Sequence, residues 1–299
     1  MPRVSVIIPT HNRSAFLRSA IRSVLAQTYQ DFELIVVDDA STDDTAHVVD
    51  SFNNERITYL RHSVNRRVAA ARNTGIGRAG GEFIAFLDDD DEWLPAKLAA
   101  QVTMLDSSAA VVGAVYSAFD QVDLYTHEIL ATSRPGKRGH ILHELCLRNL
   151  IGTASTVCLR RTCLDEVGLF DEGIEFGEEY DLWIRIAHSF DFKYIDEVLV
   201  RYGVHTTRLS TNYAVMISGL EGQLRKHAAF FASDLPNYSR RYVALGALHC
   251  YKGDARRARS AFTEAIKASP LVLSNYLYFG LSLFGASIFR KVREPRRGR

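Results

Sequence analysis

Uncharged runs of strand length alternate with stripes of helical period along the first part of the chain. Val4-Ser5-Val6-Ile7-Ile8-Pro9 predicts a buried strand closed by a proline, and Thr10-His11-Asn12-Arg13-Ser14 then offers helix-capping side chains. Phe16, Leu17, Ala20, Ile21, Val24 and Leu25 recur on one face of a helix. Phe32-Glu33-Leu34-Ile35-Val36-Val37 predicts a second strand that ends at Asp38-Asp39, and Ser41-Thr42-Asp43 leads into the next helix. A third strand is predicted at Ile57-Thr58-Tyr59-Leu60, a helix from Arg67 to Arg78, and a fourth strand over Phe83-Ile84-Ala85-Phe86-Leu87. Strand, helix, strand in this order predicts right-handed parallel crossovers, hence an α/β fold. Further on, residues 111–118 and 155–159 have strand character and 139–150 helical character. Residues 120–140 have no period beyond a turn at Arg134-Pro135-Gly136-Lys137.

The polar residues at the ends of these strands carry the chemistry. Asp88-Asp89-Asp90-Asp91 follows the fourth strand without a break. Two such charges about 4 Å apart repel by roughly 4 kcal/mol at an effective dielectric near 20. Solvent can spread that charge, or a bound cation can turn repulsion into attraction. Two plainer readings stay open: Asp91 and Glu92 could favour the N-terminus of a helix that Pro95 helps to start, and Asp38-Asp39 could be turn residues. Open α/β sheets bind ligands outside the carboxyl ends of their strands, so acids at two such ends predict a shared site. An EF-hand loop is excluded, because its sixth and twelfth positions counted from Asp88 hold Trp93 and Ala99. A Walker-type phosphate loop is absent, and the loop after the first strand contains no glycine, which disfavours a nucleotidyltransferase.

Bulk properties narrow the class. The 299 residues suffice for one large α/β domain with an appendage, and a formal net charge of +1 argues against a nucleic-acid binder. The four cysteines have neither CxxC nor zinc-type spacing, which predicts reduced thiols and a cytoplasmic protein. Met1-Pro2-Arg3 runs straight into the first strand, so no secretory signal is expected.

Val4 to Asn12, Asp38-Asp39-Ala40-Ser41-Thr42-Asp43, Ala71-Arg72-Asn73-Thr74-Gly75, Leu87 to Asp91 and Trp93-Leu94-Pro95-Ala96-Lys97-Leu98 together resemble the successive motifs of family-2 glycosyltransferases. Phe176 to Ile186 resembles that family's Glu-Asp-x-Asp-Leu-Trp-x-Arg motif, with Glu179 where Asp is usual, and Arg201 to His205 with Leu209-Ser210 resembles the closing segment. The likeness covers about residues 1–212. It implies a GT-A fold, a mostly parallel sheet flanked by helices, acting on a nucleotide-sugar donor, UDP- or dTDP-linked, with Mn²⁺ or Mg²⁺. It further implies an inverting transfer to a hydroxyl of a surface glycan or lipid-linked saccharide. By that resemblance Pro9, Thr10, Asn12, Asp38, Asp39, Arg72, Asp88 and Asp89 face the donor, with Asp39 accepting from the nucleobase. Asp90 ligates the metal, with Asp88 near metal or ribose and His205 a further candidate ligand. Glu179 is the general base, with Glu178 its rival. Arg72 would pair with phosphate or stand as a solvated charge. The Glu179 departure leaves open a catalytically inactive sugar-nucleotide-binding module. The Gln-x-x-Arg-Trp motif of processive synthases is absent.

From residue 213 the pattern turns helical. Residues 242–270 resemble one tetratricopeptide-like helix pair, which would pack on the catalytic domain or on a partner, a second copy of the chain included. Residues 271–289 carry no charge, and Arg290 to Arg299 hold six basic residues against one acid. That combination predicts either a peripheral helix on an anionic membrane face or a packed helix with a solvated tail.

Overall fold

In the computed structural model, residues 1–206, 212–284 and 289 are described, so Leu209-Ser210 and most of the tail lie outside them. The chain divides into one unit of residues 1–172 and 178–206 and a second of 173–177 and 207–299.

The first unit opens with β1 (Val4–Thr10), α1 (Ser14–Leu25), β2 (Phe32–Asp38), α2 (Thr45–Asp50), β3 (Ile57–Arg61), α3 (Arg67–Arg78) and β4 (Phe83–Phe86). These four strands form a parallel block in the order β3-β2-β1-β4. The chain therefore leaves β1 to one side for β2 and returns on its other side as β4. That is the switch point where a crevice opens at the strands' carboxyl ends. Alternate residues serve the two faces of the sheet. Val4, Val6, Ile8, Leu34 and Val36 join one buried cluster with Leu17, Ile21 and Val24 of α1. On the opposite face the backbone of α3 comes so near β1 that a Cβ on Gly75 would sit 2.5 Å from Ile7 Cγ2.

The rest of the unit runs β5 (Glu92–Trp93), α4 (Lys97–Asp106), β6 (Val112–Asp123), β7 (Ile129–Ser133), α5 (Leu142–Leu147), β8 (Val157–Arg160), α6 (Arg161–Val167), α7 (Glu178–Ser189) and β9 (Asp191–Val204). Here the sheet mixes direction. β8 lies antiparallel between β4 and β6, β9 runs parallel to β6, β5 pairs antiparallel with β9 and β7 antiparallel with β6.

Three expectations need correction. Asp91 and Glu92 do not open a helix: Glu92–Trp93 is a strand. Burial of the Trp93 ring, whose Nε1 donates to Ser155 O at 2.8 Å, holds the segment extended, and α4 starts only at Lys97. The helix expected over 139–150 shrinks to six residues, because Gly139 is held in a bridge to Phe192. The unpatterned stretch 120–140 contains β7.

The second unit holds α8 (Tyr213–Lys226), α9 (Ala228–Ala232), α10 (Leu235–Lys252), α11 (Ala255–Ala268) and α12 (Leu273–Leu283). The α10–α11 pair turns at Gly253, whose left-handed φ of 90° ends α10, and Asp254 caps α11 by accepting from Arg257 N at 3.0 Å. Val243, Ala247, Ala258, Phe262 and Ala265 form its core. No helix among the described residues is long and apolar enough to cross a membrane.

Candidate active site

The carboxyl ends of β1, β2 and β4 meet through hydrogen bonds. Asp39 N donates to Thr10 O at 2.8 Å, and buried Thr10 Oγ1 donates to Asp89 Oδ2 at 2.7 Å. Pro9, buried beside Val37 in the parallel register, brings the chain to this edge. Asn12 follows with φ 53°, and its Oδ1 accepts from Thr42 N at 2.7 Å, tying the β1 loop to the β2 loop. Asp38 shapes its own loop: Oδ1 accepts from Ser41 N at 2.7 Å and Oδ2 from the Tyr59 hydroxyl. Asp39 accepts from Arg66 N at 2.8 Å and Arg67 N at 2.6 Å, and His62 Nδ1 lies 2.7 Å from its Oδ1. Its carboxylate thus sits against the start of α3, where partial positive charge favours it.

The four aspartates after β4 diverge in role. Asp88 is the most accessible of them: its Oδ1 accepts from Arg72 Nη2 at 2.6 Å and its Oδ2 from Thr153 Oγ1 at 3.3 Å. Asp89 is buried. Desolvation, and next the charge of Asp90, push its pKa up to about 7, against the pull of Arg13 and Thr10. Asp90 stays below the ordinary carboxylate range: burial works against its charge, but His205 Nε2 at 2.8 Å and Arg13 Nη1 at 2.9 Å more than offset it. Asp91 is held inside, with Oδ1 accepting from Gly203 N at 2.9 Å; desolvation, and next the charges of Asp90 and Asp88, raise its pKa well above the usual value. Arg13 also donates to Asp89 Oδ1 at 3.0 Å, so one guanidinium spans two of the four acids. The repulsion expected from the sequence is therefore relieved by a protein cation and by burial that favours protonation.

A second acidic pair comes from α7. Glu178 is buried and accepts from Arg72 Nη1, while Arg72 Nη2 reaches Asp88. Arg72 is 3% exposed and lies over the Phe170 ring at 5.2 Å. The solvated-charge reading of Arg72 is overturned, because the small Ala69, Ala70, Ala71 and Gly75 around it let α3 lie close to the sheet and carry it inward. Glu179 is half-buried, and among the described residues no side-chain hydrogen bond holds its carboxylate. Desolvation first, then the charge of Glu178, raise its pKa to about 8, against the pull of Arg72. The arginine of the same motif is structural: Arg185 pairs with Asp181 at 2.9 Å and donates to Val167 O at 2.6 Å and Leu169 O at 2.7 Å.

One network thus links Thr10, Asp89, Arg13, Asp90 and His205, and a second links Asp88, Arg72 and Glu178. Sequence reasoning missed Arg13, taken for a helix-capping neighbour, although its place between the family-like loop and α1 was the available signal. It also missed Thr153 and Ser155, which bond Asp88 from a segment whose spacing carries no mark.

This is the fold of a glycosyltransferase. A profile of Glycosyl transferase family 2 matches residues 5–168, more than half of the chain, and the protein belongs to that family. It is 31% identical over 211 residues to the Escherichia coli protein UDP-Glc:alpha-D-GlcNAc-diphosphoundecaprenol beta-1,3-glucosyltransferase WfgD, covering 70% of this chain and 80% of that one. In structure it resembles S. aureus TarS 1-349 in complex with UDP, with a TM-score of 0.64 and 18% identity over 99% of this chain and 93% of that one. It also resembles the mannosyltransferase PcManGT from Pyrobaculum calidifontis in complex with GDP-Man and Mn²⁺, with a TM-score of 0.60 and 19% identity over 98% and 88%. The expected GT-A fold with a helical C-terminal region holds.

Proposed function

We propose that the protein transfers a hexosyl group, with inversion, from a nucleoside-diphosphate sugar to a hydroxyl of a lipid-linked saccharide. The observation that carries this is the joining of the acids after β4 to those of α7 through Arg72: donor-facing and base-bearing residues belong to one constellation. WfgD acts on a diphosphoundecaprenol-linked sugar, which supports a lipid-linked acceptor, and UDP in the complex with TarS supports a UDP- or dTDP-linked donor.

In the reaction the bond from the anomeric carbon to the diphosphate oxygen breaks as the acceptor oxygen attacks from the opposite face. The acceptor proton goes to Glu179. Its raised pKa suits a base that must release the proton again near neutral pH. Glu178 is engaged by Arg72 and is left to position it. Asp38 and Asp39 shape the nucleoside side by holding the Ser41 loop and the start of α3, Asn12 ties the loop after Pro9 to Thr42, and Thr10 holds Asp89.

A divalent cation fits in part. Asp90 Oδ2 and His205 Nε2 lie 2.8 Å apart; the carboxylate suits Mn²⁺ or Mg²⁺, the imidazole favours Mn²⁺ of the two, and the lowered pKa of Asp90 keeps it ionised. Among the described residues no three such side chains stand close enough to hold an ion by themselves. Asp90 and His205 would hold it, with Asp88, now on Arg72 and Thr153, on the donor side, and the ion would neutralise the leaving diphosphate. Arg13, on Asp89 and Asp90, supplies positive charge to the same acids.

A peripheral membrane position is supported by α12. Its deeply buried residues are Asn275 and Ser282, whereas Leu273, Tyr276, Leu277, Leu283 and Phe284 are exposed. Tyr278, Phe279 and Leu281 pack on the α10–α11 core, and the exposed apolar residues, ahead of a basic tail whose residues lie outside those described, match an anionic lipid surface. The overall reading is tested by turnover across a panel of nucleotide sugars with a lipid-diphosphate sugar acceptor; no transfer from any donor would end it.

A further inference from the structure

Glu178 and Glu179 come directly after a segment, Gly173–Gly177, that belongs to the helical unit. That segment is clamped to α8. Gln223 Nε2 donates to Phe176 O at 3.3 Å and to Gly177 O at 3.1 Å. The backbones come close enough that a Cβ on Gly219 would lie 2.2 Å from Phe176 O. Gly177 takes φ 73°, a conformation that favours glycine, and its Cα lies close against the Gln223 amide. Ile174 is buried, and its Cγ1 lies 3.6 Å from where a Cβ on Gly222 would be.

Phe176 walls a cavity of about 420 Å³ with Met216, Leu220, Gln223, Leu248 and Tyr251. Packing leaves Phe176 room on that side, and the two hydrogen bonds from Gln223 to backbone carbonyls oppose a shift into it. The carbonyls concerned belong to the two residues before the first turn of α7, so a shift there moves the carboxylates that follow.

We propose that Gln223 is a positioning residue for catalysis: from α8 it sets the Phe176–Gly177 backbone and through it the placement of Glu179. The inference rests on reading Glu179 as the base. The charged groups whose fields act on Glu179 are Glu178, Arg72 and Asp88, all from the first unit. Gln223 brings no charge of its own. Its removal would act by letting Glu179 turn toward water, which lowers the carboxyl pKa as desolvation is relieved.

The test compares wild type, Gln223→Leu, Gln223→Lys and Gly219→Ala in the full chain, measuring kcat, donor KM and the pH dependence of kcat. Calorimetric binding of the nucleoside diphosphate reports whether the donor side is intact. Gln223→Leu should lower kcat by about tenfold or more, a misplacement effect of the kind that 1 Å shifts produce. Donor binding should stay unchanged, and the acid limb of the profile should move to lower pH. Gln223→Lys, which still donates to a carbonyl, should restore much of the loss. Gly219→Ala, which pushes on Phe176 without removing a donor, should give the same kcat defect. A Gln223→Leu enzyme with wild-type kcat and acid limb overturns the inference, as does one that loses kcat and donor binding together with no movement of the limb. Loss of the base reading is told apart by Glu179→Gln: normal turnover there removes the premise whatever Gln223 does.

Discussion

Arg72 and Glu178 stand 106 residues apart in the chain and share a buried hydrogen bond, while the other arm of the guanidinium grips Asp88 at 2.6 Å. Arg72 and Glu178 are thereby held almost out of water, with Asp88 their more accessible partner. Burial alone would drive Arg72 toward neutrality, but Asp88 and Glu178 together raise its pKa above the ordinary arginine value. Breaking such a group leaves uncompensated charge. Arg72→Ala should cost about 3–5 kcal/mol of stability, read by denaturant unfolding, as well as activity. Arg72→Lys should recover only part of either, because an ammonium cannot reproduce the two-armed fork.

The same bond separates the two glutamates of α7. Glu178 is occupied, and Glu179 is not. Glu179→Gln should keep donor binding and lower kcat by about 10²–10⁴-fold. If Glu179→Gln transfers normally and Glu178→Gln does not, the assignment is reversed.

The pH dependence follows from Glu179. A base must be ionised to act, and its pKa is raised to about 8, so kcat/KM should climb with pH and level off above that value. Glu178 is the largest charge raising it, after desolvation, so Glu178→Gln should move the limb toward acid. A limb that stays in place would remove Glu179 as its source.

Much of this arrangement was legible in the chain, for physical reasons. β4 and its aspartates stand out because a strand buried on both faces is uncharged and ends abruptly. α3 runs from Arg67 to Arg78 as its pattern predicted, and the α10–α11 pair was marked by Gly253-Asp254. β9 was not legible: Lys193, Asp196, Glu197 and Arg201 interrupt its apolar residues, and only its long parallel pairing with β6 accounts for it. Nor was the fate of Arg72, since its partners lie on a strand end and a distant helix.

Lys97 gives a test of the fold free of the site. It is fully buried, with its Nζ donating to Gln101 Oε1 at 2.6 Å and lying 3.8 Å from the centre of the Trp93 ring. Desolvation lowers its pKa from 10.5 to about 7. The unfolded chain therefore binds the extra proton between these values and the folded chain does not, so this residue makes stability rise with pH across that window. The penalty is fully present below pH 7 and gone above 10.5. Wild type should gain Tm from pH 7.5 to 9.5 relative to Lys97→Met, about 1 kcal/mol or more in unfolding free energy. Parallel curves would contradict the burial of a neutral amine.

The exposed face of α12 predicts binding to lipid. The full chain should float with vesicles containing anionic phospholipid, less with zwitterionic ones, and Leu273→Asp with Leu277→Asp should abolish it. Flotation unchanged by those substitutions, or self-association without vesicles, would reassign the face.

The central claim is that the acids at the ends of β2 and β4 form one donor site completed by a divalent ion. Calorimetric titration of UDP, dTDP and GDP into wild type and Asp90→Ala, with Mn²⁺ and with chelator, tests it most directly. One nucleotide should bind wild type at least about tenfold more tightly with Mn²⁺, a gain of about 1.4 kcal/mol, and Asp90→Ala should lose that gain. Binding that ignores both the ion and the substitution would contradict it.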